Sequence, residues 1–183
     1  VSLSSPTVGA AVKKVDSDVA ALSSYLTQGG IEADALTLGP VATFANEEFV
    51  NGNSTGRILS YRATRDVTVR TKDVQLVSKL SQGIGSLLET GINVNNYGPQ
   101  YYISNLPELR PELMSEAMKD AKLRAESLTK AVGGSLGTLV NVKAGPIQIT
   151  TPDSTMTADY GAYDTSTINK TVSATVSVTF NTN

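Results

Sequence analysis

The residues best suited to metal or acid–base chemistry in this 183-residue chain are carboxylates, because it contains no histidine and no cysteine. A zinc, copper or iron site would need carboxylates alone, and these suit Ca²⁺ or Mg²⁺ better. The acids in predicted loops are Glu47, Glu48, Asp153, Asp159 and Asp164. Since none has the spacing of a calcium-binding loop, we predict solvated loop acids, no metal site and no cofactor.

Nucleophilic catalysis and phosphate binding each have one candidate motif. A serine nucleophile without histidine needs a lysine or a terminal amine as its base. Ser127-Leu-Thr-Lys130 has the Ser-x-x-Lys spacing, but it lies in a charged helical pattern, which favours an ordinary helix surface. Gly133-Gly-Ser-Leu-Gly137 follows a predicted helix, whereas a phosphate-binding loop precedes one. We therefore predict that the protein is not an enzyme.

Three other side chains are candidate contacts with a partner. Arg65 lies on the apolar side of a predicted strand, so it marks either a bulge or a contact with another subunit. Tyr160 and Tyr163 lie in a polar loop, and tyrosine rings suit protein interfaces because they lose little conformational entropy on contact. Local packing beneath the loop explains these two tyrosines equally well.

The charge balance and the hydrophobic content exclude several classes of protein. Hydrophobic residues make up 40% of the chain, which indicates a globular protein. Lys and Arg number 15 and Asp and Glu 17, a net charge of -2, which argues against nucleic acid or an anionic membrane as partner. No run approaches the roughly 18 apolar residues of a membrane span. The chain begins at Val1 without Met, so we expect a truncated N-terminal strand.

The longest helical pattern lies between Pro111 and Gly133. Proline fits the first turn of a helix, where its missing N–H costs nothing, and glycine takes the left-handed conformation that ends a helix. Alanines in the middle of its apolar side would let this helix lie close against a sheet. The predicted apolar side comprises Leu113, Ala117, Ala121, Ala125, Leu128 and Val132.

Hydrophobic periodicity predicts the order β-α-β-β-α-β-α-β-β over a single domain of residues 1–183. The first six elements match the split βαβ arrangement. We therefore predict an α+β fold in which three helices pack on an antiparallel or mixed sheet.

Some segments carry more specific expectations. Residues 46–56 are predicted to be a hairpin loop and residues 93–104 a strand. Residues 150–167 are predicted to be a long polar loop, and loops of this length in compact domains are either functional or disordered. Gly-Pro pairs at residues 39–40 and 145–146, and a third at 98–99, predict sheet edges or bulges, because proline cannot donate to a ladder.

Three segments together resemble a known family. The strand at residues 61–69 with the helix end at 87–91 is the first, and the helix at residues 117–126 is the second. The third is the Gly-Gly-Ser-Leu-Gly of residues 133–137, and the Ala-x-x-Asp-Ala-x-x-x-Ala spacing ahead of it is the most telling part. From about residue 7 onward the chain resembles the SIMPL domain family. That family's pattern begins with a further strand holding a Pro-Asp pair, which is absent here and agrees with a truncated start.

The resemblance implies a location and a type of role. Bacterial SIMPL members are mostly exported to the periplasm or the cell surface, and their largely undefined role has links to stress tolerance. Some members assemble into large rings, and an animal relative acts as a signalling scaffold. The resemblance offers no catalytic residue that could be transferred to this chain.

We therefore predict a non-enzymatic exported protein that self-assembles or acts as an interaction or scaffold module in envelope stress tolerance. Its predicted partner is a second copy of itself or another protein, and not nucleic acid. The alternative is a small-molecule or ion-binding module with a pocket between the helices and the polar loop. A third hypothesis, that the protein is a hydrolase, requires Glu47 or Glu48 to lie close to a loop aspartate in a cleft.

Overall fold

The computed structural model describes residues 1–183, which form two compact units, Val1–Pro99 and Gln100–Asn183. The first unit contains β1 Ser2–Ser5, α1 Val8–Gln28, β2 Leu36–Val50, β3 Asn53–Val69, α2 Val74–Gly83 and α3 Gly85–Glu89. The second unit contains α4 Leu106–Ala131, β4 Leu136–Thr150 and β5 Thr171–Thr182. The sheet of the first unit has the antiparallel order β1-β3-β2, and that of the second pairs β4 with β5 antiparallel.

The α+β class with antiparallel pairing is confirmed. The strands divide into two sheets, one in each unit, where the sequence predicted one. Strand partners are chosen by contacts between distant parts of the chain, which hydrophobic periodicity does not record. The single domain over residues 1–183 stays a prediction.

Helix α1 is stabilised by a capping residue at its N-terminus and by an apolar stripe that is buried along its length. The Thr7 hydroxyl accepts a hydrogen bond from the Ala10 N–H (3.3 Å), and Gly30, with φ of 108°, takes the chain out of the helix. Five apolar side chains of the helix are buried at helical spacing: Ala11, Val15, Val19, Leu22 and Leu26. Ala63 of β3 is fully buried (0% exposed) in one cluster with Ala11, Val15 and Val19. Leu22 and Leu26 belong to a second cluster with Leu80 of α2 and Leu87 of α3, so α1 contributes to both parts of the core.

The predicted second helix is present as two short helices, α2 and α3, which meet at Ile84. The Asp73 side chain caps α2 by accepting a hydrogen bond from the Leu76 N–H (2.9 Å). The Tyr25 hydroxyl of α1 donates to the Leu80 carbonyl (3.0 Å), which ties α2 to α1. A Cβ at Gly83 would lie 2.6 Å from the Tyr25 hydroxyl oxygen, so a larger residue there would displace this hydroxyl from its position.

Strands β2 and β3 extend through most of the predicted hairpin loop at residues 46–56. The turn itself is only the Asn51-Gly52 pair, and both residues have positive φ, 51° and 81°. A two-residue hairpin turn requires this geometry and prefers the sequence Asn-Gly. The loop prediction was wrong because the polar side chains flanking the turn bond to each other across the two strands, as Glu47 does with Ser54 (2.6 Å).

The strand predicted at residues 93–104 is wrong. A strand needs a neighbour for its ladder hydrogen bonds, and β1 supplies one bond, from the Ser2 N–H to the Asn93 carbonyl (3.2 Å). The Asn96 side chain then accepts from the Gly98 N–H (3.0 Å) and holds a turn in which Gly98 has φ of 77°. Pro99 follows and has no N–H to donate.

Helix α4 begins earlier than predicted, and four of the six residues of its predicted apolar side are half-buried while the last two are exposed. Pro107 lies in its first turn and Pro111 lies inside it. Half-buried side chains recur every fourth residue: Leu113, Ala117, Ala121, Ala125 and Thr129. Four residues overshoot a full helical turn by about 40°, so this row drifts around the helix. Leu128 and Val132 are therefore 71% and 85% exposed, and their predicted place against the sheet was wrong.

Two of the three Gly-Pro pairs lie at irregularities of a sheet, as predicted. Gly39-Pro40 falls at the register shift of β2 between Leu38 and Val41. Gly145-Pro146 falls at a register shift of β4, between Ala144 and Ile147. At such a bulge the ladder is already interrupted, so the missing N–H of proline removes no regular bond.

We expect Val15→Ala to lower the free energy of unfolding by roughly 2 kcal/mol, because it removes two buried carbon atoms and leaves a cavity. Val15 is 0% exposed. The matched control is Val8→Ala on the same helix, where the side chain is 39% exposed and the change should stay within about 0.5 kcal/mol. Urea unfolding followed by circular dichroism measures both. Equal effects of the two substitutions would contradict the described core.

Candidate interaction surfaces

The loop predicted at residues 150–167 is held against the end of β4 by one glutamine. Gln148 is 7% exposed, and its side-chain Nε2 donates to the Ala158 carbonyl (2.8 Å). Its Oε1 accepts from the backbone N–H groups of Ala162 (2.7 Å) and Ala158 (3.3 Å). The backbone of Ile149 adds two bonds, donating to Ala162 and accepting from Asp164, both 2.8 Å. The loop is therefore an ordered part of the second unit.

Asp164 anchors the far end of the same loop. The Lys170 side chain is only 4% exposed, and its Nζ donates to the backbone carbonyl of Asp164 (2.7 Å) and to Asp164 Oδ2 (2.9 Å). The hydroxyls of Ser166 and Thr167 also donate to the carboxylate, each at 2.7 Å. These bonds, from Ser166 first, then Lys170 and Thr167, hold the pKa of Asp164 well below its ordinary value of 3.8. Asp164, predicted as a solvated loop acid, is instead an internal anchor.

Of the two candidate tyrosines, Tyr163 contacts other residues of the second unit and Tyr160 is exposed to solvent. The Tyr163 hydroxyl accepts from the Ile103 N–H (3.0 Å), and its ring lies 5.9 Å from the ring of Tyr102. Such a tilted pair is a favourable aromatic contact, so local packing does hold Tyr163. Tyr160 is 99% exposed. A partner contact at either tyrosine stays a prediction.

Arg65 lies opposite the bulge of β2 and ties it to α1. Its Nε donates to the Gly39 carbonyl (2.9 Å), and its Nη1 contacts Asp16 Oδ1 (2.8 Å). The sequence left two explanations for this arginine, a bulge or a subunit contact. The structure shows a bulge in the facing strand, between Leu38 and Val41 of β2. A partner contact of Arg65 stays a prediction, since its side chain retains 25% of its exposure.

Sequence reasoning missed a group of exposed apolar side chains in the first unit. We call residues 43–59, the outer part of the β2–β3 hairpin, the arm. Apart from Glu48, every residue of the arm is exposed. Its large apolar side chains are 45–65% exposed: Phe44, Phe49, Val50, Ile58 and Leu59. The signal that could have found the arm was Asn51-Gly52 placed between two runs containing these residues.

The acids and the motifs that suggested chemistry do not assemble into a site. Glu48 pairs with Arg57 (3.4 Å) and accepts from the Thr55 hydroxyl (2.9 Å), both within the arm. No group of three acidic side chains is placed so that it could hold a metal ion. Ser127 donates its hydroxyl to the Leu123 carbonyl of its own helix (3.0 Å). The candidate interaction surfaces of the protein include the arm and the exposed edges of the sheets.

The Asp164 anchor should make stability depend on pH. Its folded pKa lies below the ordinary 3.8, so the ionised carboxylate stabilises the fold above that pH, and the contribution is lost as the pH falls below it. The difference in unfolding free energy between wild type and Asp164→Asn should be largest at neutral pH and should shrink below about pH 4. Urea titrations at several pH values measure it. Asp159→Asn, at an exposed acid of the same loop, is the control for the loss of one negative charge from the loop.

The two contacts of the Arg65 side chain, with the Gly39 carbonyl and with Asp16, are called the clamp. Removing the clamp should lower the free energy of unfolding of the first unit by roughly 1–2 kcal/mol, because both charged hydrogen bonds are lost together. Arg65→Met tests this by chemical unfolding. Arg57→Met is the matched control, since the Arg57 side chain is 72% exposed in its ion pair with Glu48. Exposed pairs contribute little, so we expect less than about 0.5 kcal/mol there. A larger loss for Arg57 than for Arg65 would contradict the clamp.

Comparison with known proteins places the chain in one family. The family model described as SIMPL, protein of unknown function (DUF541), matches residues 1–180. A comparison with curated proteins finds no match. None of the helices combines the length and apolar character that crossing a membrane requires. Because the family match spans nearly the whole chain and agrees with the helix and glycine spacings at residues 117–137, the protein belongs to the SIMPL (DUF541) family of proteins of unknown function.

Proposed function

We propose that this protein is a non-enzymatic module for self-assembly or for scaffolding contacts with other proteins. The observation that carries the proposal is the arm, whose five large apolar side chains are half-exposed on a ribbon that nothing covers. Exposed large apolar side chains concentrated on one segment favour an interaction site. Export to the periplasm or cell surface, and a role in envelope stress tolerance, form part of the proposal and rest on the resemblance to SIMPL.

The physical argument starts from the weakness of an isolated ribbon. Two strands alone are at best marginally stable in water, because they bury little apolar surface. Cross-strand bonds between polar side chains supply part of the order, such as Glu47 with Ser54 within the arm, and Asn46 with Ser60, the residue that follows the arm in β3 (2.8 Å). A partner that covered Phe49 and Ile58 would add roughly 25 cal/mol for each Å² of apolar surface removed from water.

The chemistry of the arm also suits a protein partner. Aromatic and aliphatic anchors with a polar surround are characteristic of protein interfaces. Here Phe44 and Phe49 are 57% and 65% exposed, Glu48 is paired with Arg57, and Glu47 accepts a hydrogen bond from the Ser54 hydroxyl. The apolar anchors of the arm therefore have polar neighbours that already bond to one another.

The test combines sedimentation velocity over a wide range of protein concentration with a double substitution, Phe49→Ser with Ile58→Ser. We expect the wild type to form species heavier than the 19.2 kDa chain and the double variant to associate at least about tenfold more weakly, as truncated interface anchors do. The control is Val8→Ser with Leu88→Ser, two exposed apolar residues outside the arm.

A wild type that stays monomeric at every concentration would contradict self-assembly. An arm variant that associates as strongly as the wild type would contradict the role of the arm. A thermal-shift screen runs beside these measurements, because stabilisation by one class of small ligand would favour the alternative of a small-molecule or ion-binding module.

A further inference from the structure

The outer edges of the two sheets differ in how they are protected. The outer side of an edge strand leaves backbone N–H and C=O groups unpaired, and these can template pairing with another strand. Proteins prevent such pairing with short edge strands, charged residues, prolines and bulges. In this chain the outermost strands are β1 and β2 in one sheet and β4 and β5 in the other.

The two edges of the first sheet both carry protective features. β1 has only 4 residues, and its Ser2 N–H is bonded to the Asn93 carbonyl (3.2 Å). β2 is longer, but Pro40 lies at its bulge and Glu47 and Glu48 lie near its end. Neither edge offers a long, regular and uncharged strand.

The edge at β4 is also protected. It contains Lys143 and Pro146, and its pairing with β5 shifts register three times. In every shift the extra residue belongs to β4. For example, Ala144 to Ile147 spans three steps while the facing Val176 to Ala174 spans two. The bulges therefore bend β4 and leave β5 regular.

β5 is the edge that lacks any of these features. Its 12 residues, Thr-Val-Ser-Ala-Thr-Val-Ser-Val-Thr-Phe-Asn-Thr, include no charge, no proline and no glycine. Half-buried apolar side chains alternate along it with exposed hydroxyls over residues 171–180. Its sheet has only two strands, so its outer backbone groups have no partner within the chain.

We infer that the outer edge of β5 pairs antiparallel with β5 of a second copy of this chain, about a two-fold axis. The pairing joins the two-stranded sheets of the two copies into one sheet in the order β4-β5-β5-β4. This inference rests on the proposed function, since it names one partner and one contact for the assembly module. The arm is not part of this contact.

A second copy fits this edge because β5 is complementary to itself. When the two-fold axis passes through Val176, every apolar side chain of residues 172–180 lies opposite an apolar one and every hydroxyl of residues 173–179 lies opposite a hydroxyl. With Val176 on the axis, Phe180 faces Val172 and Val178 faces Ala174, so larger side chains meet smaller ones. No like charges meet in any register, because the strand has none.

Lysines on the exposed side of β5 test the contact. In the register centred on Val176, Thr175 faces the other copy's Ser177, so Thr175→Lys with Ser177→Lys brings four ammonium groups together. Thr138→Lys with Asn141→Lys is the matched control, at exposed positions of β4 in the same sheet. Both pairs are introduced into the arm double variant, so that arm contacts do not mask the result. We expect the control to remain dimeric in sedimentation and the β5 variant to dissociate at least about tenfold more readily.

A cysteine cross-link tests the register without adding charge. The chain has no cysteine, so Val176→Cys creates a single thiol on the proposed axis. Directly opposed residues of antiparallel strands have Cα atoms about 4.5–5.5 Å apart, within the range for a disulfide. Mild oxidation should give a disulfide-linked dimer. Val142→Cys on β4 is the control and should stay monomeric on a non-reducing gel, since Val142 faces Val178 of its own chain.

The outcomes separate this inference from the proposed function. If the wild type assembles but neither the β5 lysines nor Val176→Cys has an effect, the β5 contact is overturned and the proposed function stands. If the wild type is monomeric at all concentrations, the β5 contact and self-assembly are both overturned, and only scaffolding contacts with other proteins remain of the proposed function. If the β5 lysine variant fails to fold, the cross-link decides, and its absence overturns the contact.

Discussion

Backbone hydrogen bonds between β2 and β3 carry the chain well beyond the part of the sheet that α1 covers. The two strands have 15 and 17 residues, whereas the core shared with α1 gathers around Ala63. A pair of strands can extend beyond the core because each hydrogen bond between them satisfies backbone N–H and C=O groups at that position. Side chains beyond the core, however, are not buried. The exposed apolar residues of the arm follow from this mismatch in length. They are the strongest physical reason to regard this SIMPL protein as a partner-binding module.

Charged and polar side chains in this structure mainly hold segments that the core does not reach. Arg65 ties the bulge of β2 to α1, Gln148 holds one end of the long loop, and Asp164 with Lys170 holds the other. Each makes several bonds, because a buried polar group left without a partner costs more than a bond contributes. These contacts explain how a loop rich in Thr and Asp can be ordered.

The sheet edges differ in how their unpaired backbone N–H and C=O groups are protected from pairing with another strand. Prolines and bulges interrupt a ladder, so they are tolerated where no neighbouring strand is needed. β2 and β4 contain both kinds of interruption, with Gly-Pro at a register shift in each, and β5 contains neither. A regular, uncharged edge beside protected ones is what one expects of a strand that has a neighbour in the assembled protein.

The sequence by itself determined the features that depend on neighbours a few residues apart. Capping by Thr7, the buried stripe of α1, the exit at Gly30 and the alternation of β5 all follow from local geometry, and the SIMPL spacings supplied the family. Tertiary structure alone decided which strands pair, and therefore that residues 93–104 lack a ladder and that the strands form two sheets. It also decided that Arg65 meets Asp16 across 49 residues and that Asp164 is an anchor, not a solvated acid. Pairing and burial depend on which distant segments meet, and residue spacing carries no record of those meetings.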